Sequence, residues 1–217
     1  MFIVLLLLSL LVFFFLKKAS FLNTSKQRKL LILGSAPYMQ AWVTKNLQWF
    51  MDHNYEIVTF NNSWKLVSDI TKITWHSSSD HWNVGTYVPT ESEKHRFNKY
   101  KIHTDHDKSS KLYNQSISTM FFNVLYHYIY DAHVHKYPLH IVVIGCDMIY
   151  SKEKDTFYSH IEGNRAKSDP INRLGVVNLD KECNHSFVVS KLHNVELYNA
   201  SEKNSRLPYP RFTNHST

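Results

Sequence analysis

Two short runs of apolar residues, each stopping at a glycine, limit what this chain can become. LHIVVI at 139–144 stops at Gly145-Cys146-Asp147, and LLIL at 30–33 stops at Gly34-Ser35-Ala36-Pro37. A strand with no polar alternation has to be buried on both faces. That is the condition of a central strand in a parallel sheet covered by helices on either side.

The intervening segments fit that arrangement. From Tyr38 onward Met39, Trp42, Val43, Leu47, Phe50 and Met51 recur at helical spacing, with Pro37 near the start, where its missing N–H costs nothing, and His53-Asn54 at the end. EIVTF at 56–60 reads as a second strand and ITKITWH at 70–76 as a third. Residues 77–113 form a long polar excursion with one short strand at 100–103, and an excursion of that length is usually functional or mobile. SISTMFFNVLYHYIY at 116–130 predicts an aromatic-rich helix, 179–192 a further helix, and 195–198 a last strand before the tail NASEKNSRLPYPRF. Strand alternating with helix predicts an α/β fold, an open, mostly parallel Rossmann-like sheet with flanking helices.

Residues 1–16 are apolar apart from Ser9, and the run ends abruptly at Lys17-Lys18. Sixteen helical residues rise about 24 Å against a hydrocarbon core of about 30 Å, so the two lysines must snorkel or the bilayer must thin. Residues 1–18 are therefore read as one N-terminal transmembrane helix, a signal-anchor, with 19–28 a linker and 29–217 a single domain. A cleaved signal peptide is the competing reading; the segment lacks a charged n-region, and Ala19-Ser20 after two lysines is a poor cleavage site. The side of the membrane stays open. Positive charge following the helix places the domain in the cytosol, whereas N-x-S/T sequons at Asn23, Asn61, Asn114, Asn184, Asn199 and Asn214 point to an ER- or Golgi-type lumen.

A formal charge of +7 makes an anionic partner plausible: a nucleotide, an acidic glycan, nucleic acid or lipid headgroups. The densest basic group, Lys17, Lys18, Lys26, Arg28 and Lys29, adjoins the anchor and suits headgroups. No helix-turn-helix, zinc finger or RNP pattern supports a nucleic-acid partner. Cys146 and Cys183 are too few for a disulfide framework, and the 14 histidines match no zinc spacing, so no metal is expected.

Ligands of such sheets bind at the carboxyl ends of the strands. Those ends are polar here: Gly34, Ser35 and Ala36, then Asn61 and Asn62, then His76 and Ser77, then Gly145 and Asp147. Gly34 permits close backbone approach, and the helix after it aims N–H groups at an anion such as a nucleotide phosphate. G-S-A-P lacks the spacing of G-x-G-x-x-G and the lysine of a P-loop, so a tight turn needing one glycine explains it equally well. Asn61 is placed to read a pyrimidine edge or ribose, or is simply a turn asparagine.

The order LILGSAP, VTFNNS, ITWHSS, SIST opening a helix and VVIGCDMIY resembles the sialyltransferase-like glycosyltransferases, especially the small bacterial CMP-sialic-acid-dependent enzymes that modify lipooligosaccharide. The segments DPINRLG and VELYNASEKNSRLPYPRF are similar to uncharacterised bacterial and viral members of that group. The resemblance implies a membrane-anchored glycosyltransferase moving sialic acid or a related acidic sugar from a CMP donor to a glycan hydroxyl. It makes Gly34, Ser35 and Ala36 the turn under the nucleotide phosphate and Asn61 a donor contact. His76 stands where the family has a third-strand asparagine, also on the nucleotide-sugar side. Ser118 and Thr119 fall where the family presents a serine-glycine to the donor. Asp147 falls beside the base, and Tyr150 and Tyr158 near the phosphate, where tyrosines stabilise a leaving CMP without metal.

The sequence departs from that family at three places. Ser35-Ala36 replaces the asparagine or second glycine of the first turn, His76 replaces the asparagine just mentioned, and Asp155-Thr156-Phe157-Tyr158 lacks the histidine of T-H-F-Y. His160 is the candidate general base, since histidine titrates near neutrality. Asp169 and Arg173 are candidates to hold the acceptor or the sialyl carboxylate. These departures leave an alternative: a degenerate, non-catalytic nucleotide- or glycan-binding membrane protein.

Overall fold

The computed structural model describes residues 26–78, 89–103, 119–148, 179–201 and 204–213. Among them no helix is long and apolar enough to cross a membrane, and the anchor assigned to 1–18 lies outside them.

Six strands form one parallel sheet: β1 (Arg28–Leu33), β2 (Glu56–Phe60), β3 (Ile73–Ser78), β4 (Lys99–His103), β5 (Leu139–Ile144) and β6 (Val195–Asn199). Their order across the sheet is β4-β3-β2-β1-β5-β6. The helices are α1 (Met39–Asp52), the short α2 (Glu91–Lys94), α3 (Met120–His135) and α4 (Leu179–Leu192). The chain starts at the centre, steps outward to β4, crosses back under α3, and resumes on the other side of β1. That reversal opens a switch point between β1 and β5, at their carboxyl ends.

The apolar runs do what their composition demands. Leu30 and Ile32 join a core with Ile141, Val143 and the buried faces of α3 and α4, while Leu31 and Leu33 join a second core with Val142, Ile144 and α1. Alternate residues of one strand thus feed opposite layers. Each layer is capped by aromatic residues: Phe121, Phe122 and Tyr126 in the first, Trp42, Phe50 and Trp75 in the second. The tail after β6 closes the structure. Asn199 N donates to Pro210 O, Phe212 N to Asn199 O and Ala200 N to Val143 O, so the tail folds back over the ends of β5 and β6. Tyr209 is buried there with its hydroxyl 2.6 Å from Ser186 Oγ.

Three boundaries differ from expectation, for local reasons. Residues 70–72 are a 3-10 turn, because the Asp69 carboxylate takes both the amide and the hydroxyl of Thr71 and holds them in the turn. Pairing with β2 therefore begins at Ile73. α3 runs five residues beyond 130, since Ala132 is buried and Asp131 is fixed by Arg28 and Tyr137; Lys136, with φ +56°, then ends it. In the long excursion α2 appears, nucleated by a capping box between Thr90 and Glu93.

Candidate functional site

The switch point is built from two glycine turns pressed together. Gly34 N donates to Ile144 O and Ala36 N to Gly145 O, so the β1 turn continues the β5 ladder past the end of both strands. A Cβ on Gly34 would lie 2.1 Å from Gly145 O and 2.6 Å from Cys146 Sγ. Gly145 itself sits at φ +73°, with space for a Cβ occupied by Met39 Sδ. Both glycines are thus required by close backbone approach, and Gly145 also by its left-handed conformation.

Beyond the turns the chain converges on Asp147. Tyr38 Oη lies 2.9 and 2.8 Å from the two carboxylate oxygens and donates to them, and Ser201 Oγ donates to Oδ1. Burial, opposed by the Ser201 hydrogen bond and reinforced by the Asp147 charge, pushes the Tyr38 hydroxyl above its ordinary value, so it stays protonated and donating. The Asp147 carbonyl accepts from Arg206 N at 3.0 Å, and Arg211 Nη1 donates to Ser201 O. Tyr38, Ser201 and Arg211 were not singled out by sequence reasoning. The signal for Ser201 was present: the strand-end rule applied to β6 leads straight to Asn199-Ala200-Ser201.

Asn61 follows β2 with φ +48°, a conformation asparagine tolerates better than most residues. Its carbonyl accepts from Trp75 Nε1 at 2.9 Å, and Ser63 Oγ latches onto both polar backbone atoms of Phe60. Its Oδ1, however, is buried with no hydrogen-bond partner. Thr119, the residue preceding α3, likewise has a buried Oγ1 without a partner and makes no cap to its helix. Phe60, next to Asn61, and Phe121, two residues after Thr119, approach to 6.3 Å between ring centroids, so Asn61 and Thr119 belong to one end of the sheet. A buried polar oxygen without a partner costs about 1–3 kcal/mol, and such atoms call for a group that completes them.

Gly34, Ser35, Ala36, Asn61, Thr119 and Asp147 therefore all lie at the carboxyl end of the sheet. His76 is engaged elsewhere: it is buried under α3, with Nδ1 2.8 Å from His103 Nε2 and Nε2 3.0 Å from Tyr128 Oη. Ser118, Tyr150, Tyr158, His160, Asp169 and Arg173 lie outside the described residues. Of the sequons, Asn199 is 2% exposed and its Oδ1 accepts from Ser201 N, so this asparagine is no glycan acceptor in the folded domain. Asn184 is exposed on α4.

His76 carries a consequence for stability. Burial first, then the charges of His103, His127, Lys101 and Arg28, holds its imidazole well below the ordinary histidine value. The unfolded chain takes up a proton near pH 6.5 that the folded chain refuses, so stability is intact above that pH and falls below it. Urea unfolding at pH 7 and pH 5 should show a loss larger by about 1–2 kcal/mol in the wild type than in His76→Gln. Equal losses in the two proteins would remove His76 as the cause.

No protein-family model, curated protein or solved structure matches this chain.

Proposed function

We propose that this chain is a membrane-anchored glycosyltransferase that moves sialic acid or a related acidic sugar from a CMP donor to a glycan hydroxyl. The observation that carries the reading is the pair of buried, unpartnered oxygens, Asn61 Oδ1 and Thr119 Oγ1, at the strand ends of a switch-point sheet. A pyrimidine amine or ribose hydroxyl supplies the donors that those acceptors lack. The turn Gly34-Ser35-Ala36 and the first turn of α1, the helix that follows it, receive the phosphate side of the nucleotide. Asp147, held rigid by Tyr38 and Ser201, orients the donor.

In the reaction the acceptor oxygen attacks the anomeric carbon of the donor from the face opposite the phosphate. The bond from that carbon to the phosphate oxygen breaks, CMP departs with the electron pair, and configuration inverts. His160 takes the acceptor proton; Tyr150 and Tyr158 donate to the departing phosphate, and Asp169 and Arg173 hold the acceptor or the sugar carboxylate. The full chain, incubated in detergent with CMP-sialic acid and a lactose-terminated acceptor, is expected to release CMP and form sialylated product. No turnover together with no CMP binding by calorimetry would sink the reading.

A second reading rests on the same carboxylate. Both oxygens of Asp147 already accept hydrogen bonds from the protein, as in a site kept for binding alone. CMP binding without turnover of any nucleotide sugar would select it.

A further inference from the structure

All strands of a parallel sheet start at one end, and here the chain comes to that end from the segment read as the anchor. Lys18 closes the apolar run and Arg28 opens β1. The chain between them reaches at most about 36 Å when fully extended. The amino edge of the sheet is therefore the edge held within that reach of the bilayer, and the candidate donor site lies a strand length away, about 20 Å. A tether limits distance without fixing orientation. The side chains of the amino edge fix the rest.

Segments far apart in sequence meet along this edge. Arg28 N donates to Pro138 O at 3.0 Å, which sets Lys136 beside the start of β1. Gln27 Nε2 donates to Glu196 Oε2 at 3.2 Å, which ties the residue before β1 to β6. His133 and His193 bring their Nδ1 atoms to 3.0 Å, which joins the ends of α3 and α4. The strip so formed carries Lys26, Lys136 and Lys191, all exposed; the Lys191 ammonium stands 5.1 Å over the Phe187 ring. Its carboxylates are engaged, Asp131 by Arg28 at 3.2 Å and Tyr137 at 2.6 Å, and Glu196 by Gln27 and by His140 at 2.8 Å. Beside the lysines stand Leu192, Val188 one turn before it, and Val134, which are 72%, 54% and 46% exposed.

We propose that this edge is a lipid-contacting surface, with Leu192, Val188 and Val134 set among the headgroups of an anionic bilayer and Lys26, Lys136 and Lys191 against their negative charges. Apolar side chains bordered by lysines have the composition of an interfacial surface, and each lysine near an anionic leaflet strengthens binding roughly fivefold. Three aliphatic side chains are too few to hold a free protein on a membrane. A tethered one needs less, because docking is then an intramolecular step at high effective concentration. Docked in this way the sheet stands on its amino edge, and the strand ends at Gly34 and Asp147 open away from the bilayer. The inference rests on the anchor of the proposed function and on none of its transferase chemistry.

The test uses the full chain in nanodiscs whose lipids carry a nitroxide quencher at the headgroup, made of phosphatidylcholine alone or mixed with phosphatidylserine. Bimane, itself apolar, is attached at Leu192→Cys or, at the opposite end of the sheet, at Gln40→Cys, an exposed position in the first turn of α1. Cys146 and Cys183 are buried, and labelling of the unsubstituted chain gives their background. In the mixed discs quenching at position 192 is expected to exceed that at position 40 at least about threefold and to fall with added salt. Lys136→Glu/Lys191→Glu, added to Leu192→Cys, should remove the gain that phosphatidylserine brings; if that variant melts early, the salt dependence decides. Equal quenching at the two positions, or quenching at 192 that ignores both phosphatidylserine and salt, would overturn the docked edge and leave the anchor standing. A chain that does not incorporate into the discs overturns the anchor and this inference with it, whereas CMP release is a separate readout that neither result moves.

Discussion

Gly34→Ala is expected to destabilise the domain by about 3 kcal/mol, at the upper end of what an added core methyl costs. The new Cβ would meet backbone atoms of Gly145 at 2.1 and 2.4 Å, and a backbone carbonyl, unlike a side chain, has no alternative rotamer into which to retreat. Relief requires the ends of β1 and β5 to separate, breaking the bonds from Gly34 N to Ile144 O and from Ala36 N to Gly145 O. Urea denaturation followed by tryptophan fluorescence measures the effect. A midpoint equal to the wild type would mean that the two turns do not touch as described. The same separation would widen the strand-end site, so CMP affinity should fall in parallel with stability.

Asp147→Asn is expected to lower turnover of the CMP donor about a hundredfold, the scale of a misplaced donor rather than of a lost fold. An asparagine keeps the shape, but its amide nitrogen cannot accept the Tyr38 or Ser201 hydroxyl, so one of those contacts becomes donor against donor. Single-turnover rates with CMP-sialic acid, beside a thermal melt of each protein, separate the two effects. Activity within twofold of the wild type would take Asp147 out of the reacting site. Tyr38→Phe removes one support while leaving the carboxylate its Ser201 contact, and its loss should be smaller.

The sheet was legible because its central strands carry unbroken apolar runs, and 139–144 and 179–192 coincide with β5 and α4. β3 was misplaced by three residues because an aspartate cap is a side-chain event inside an otherwise strand-like run. α3 ended too early on paper because DAHVH looks like a polar exit. In the fold its Asp131 is anchored by Arg28, 103 positions away in sequence. The strand-end residues were found by the rule that parallel sheets bind at their carboxyl ends, which needs only a polar residue after each strand. Tyr38 and Arg211 escaped because their contacts exist only once the tail has folded back over β5 and β6, whereas Ser201, just after β6, lay within reach of the same strand-end rule.

His76 marks the boundary between the two kinds of information. Its position after a strand is a sequence fact, and the resemblance to sialyltransferase-like enzymes set it beside the donor. Its neighbours, His103, Tyr128 and Lys101 of β4, were decided by which strand paired with β3 and by where α3 crossed. Sequence alone determined the layering, since hydrophobic burial depends on local pattern: apolar runs inside, amphipathic helices over them, glycines where the turns must close. Tertiary structure alone determined which polar groups meet, because a hydrogen bond or charge pair is set by distances of about 3 Å between segments far apart in the chain. The two glycine turns first seen as the ends of apolar runs became, in the fold, a single joint between β1 and β5.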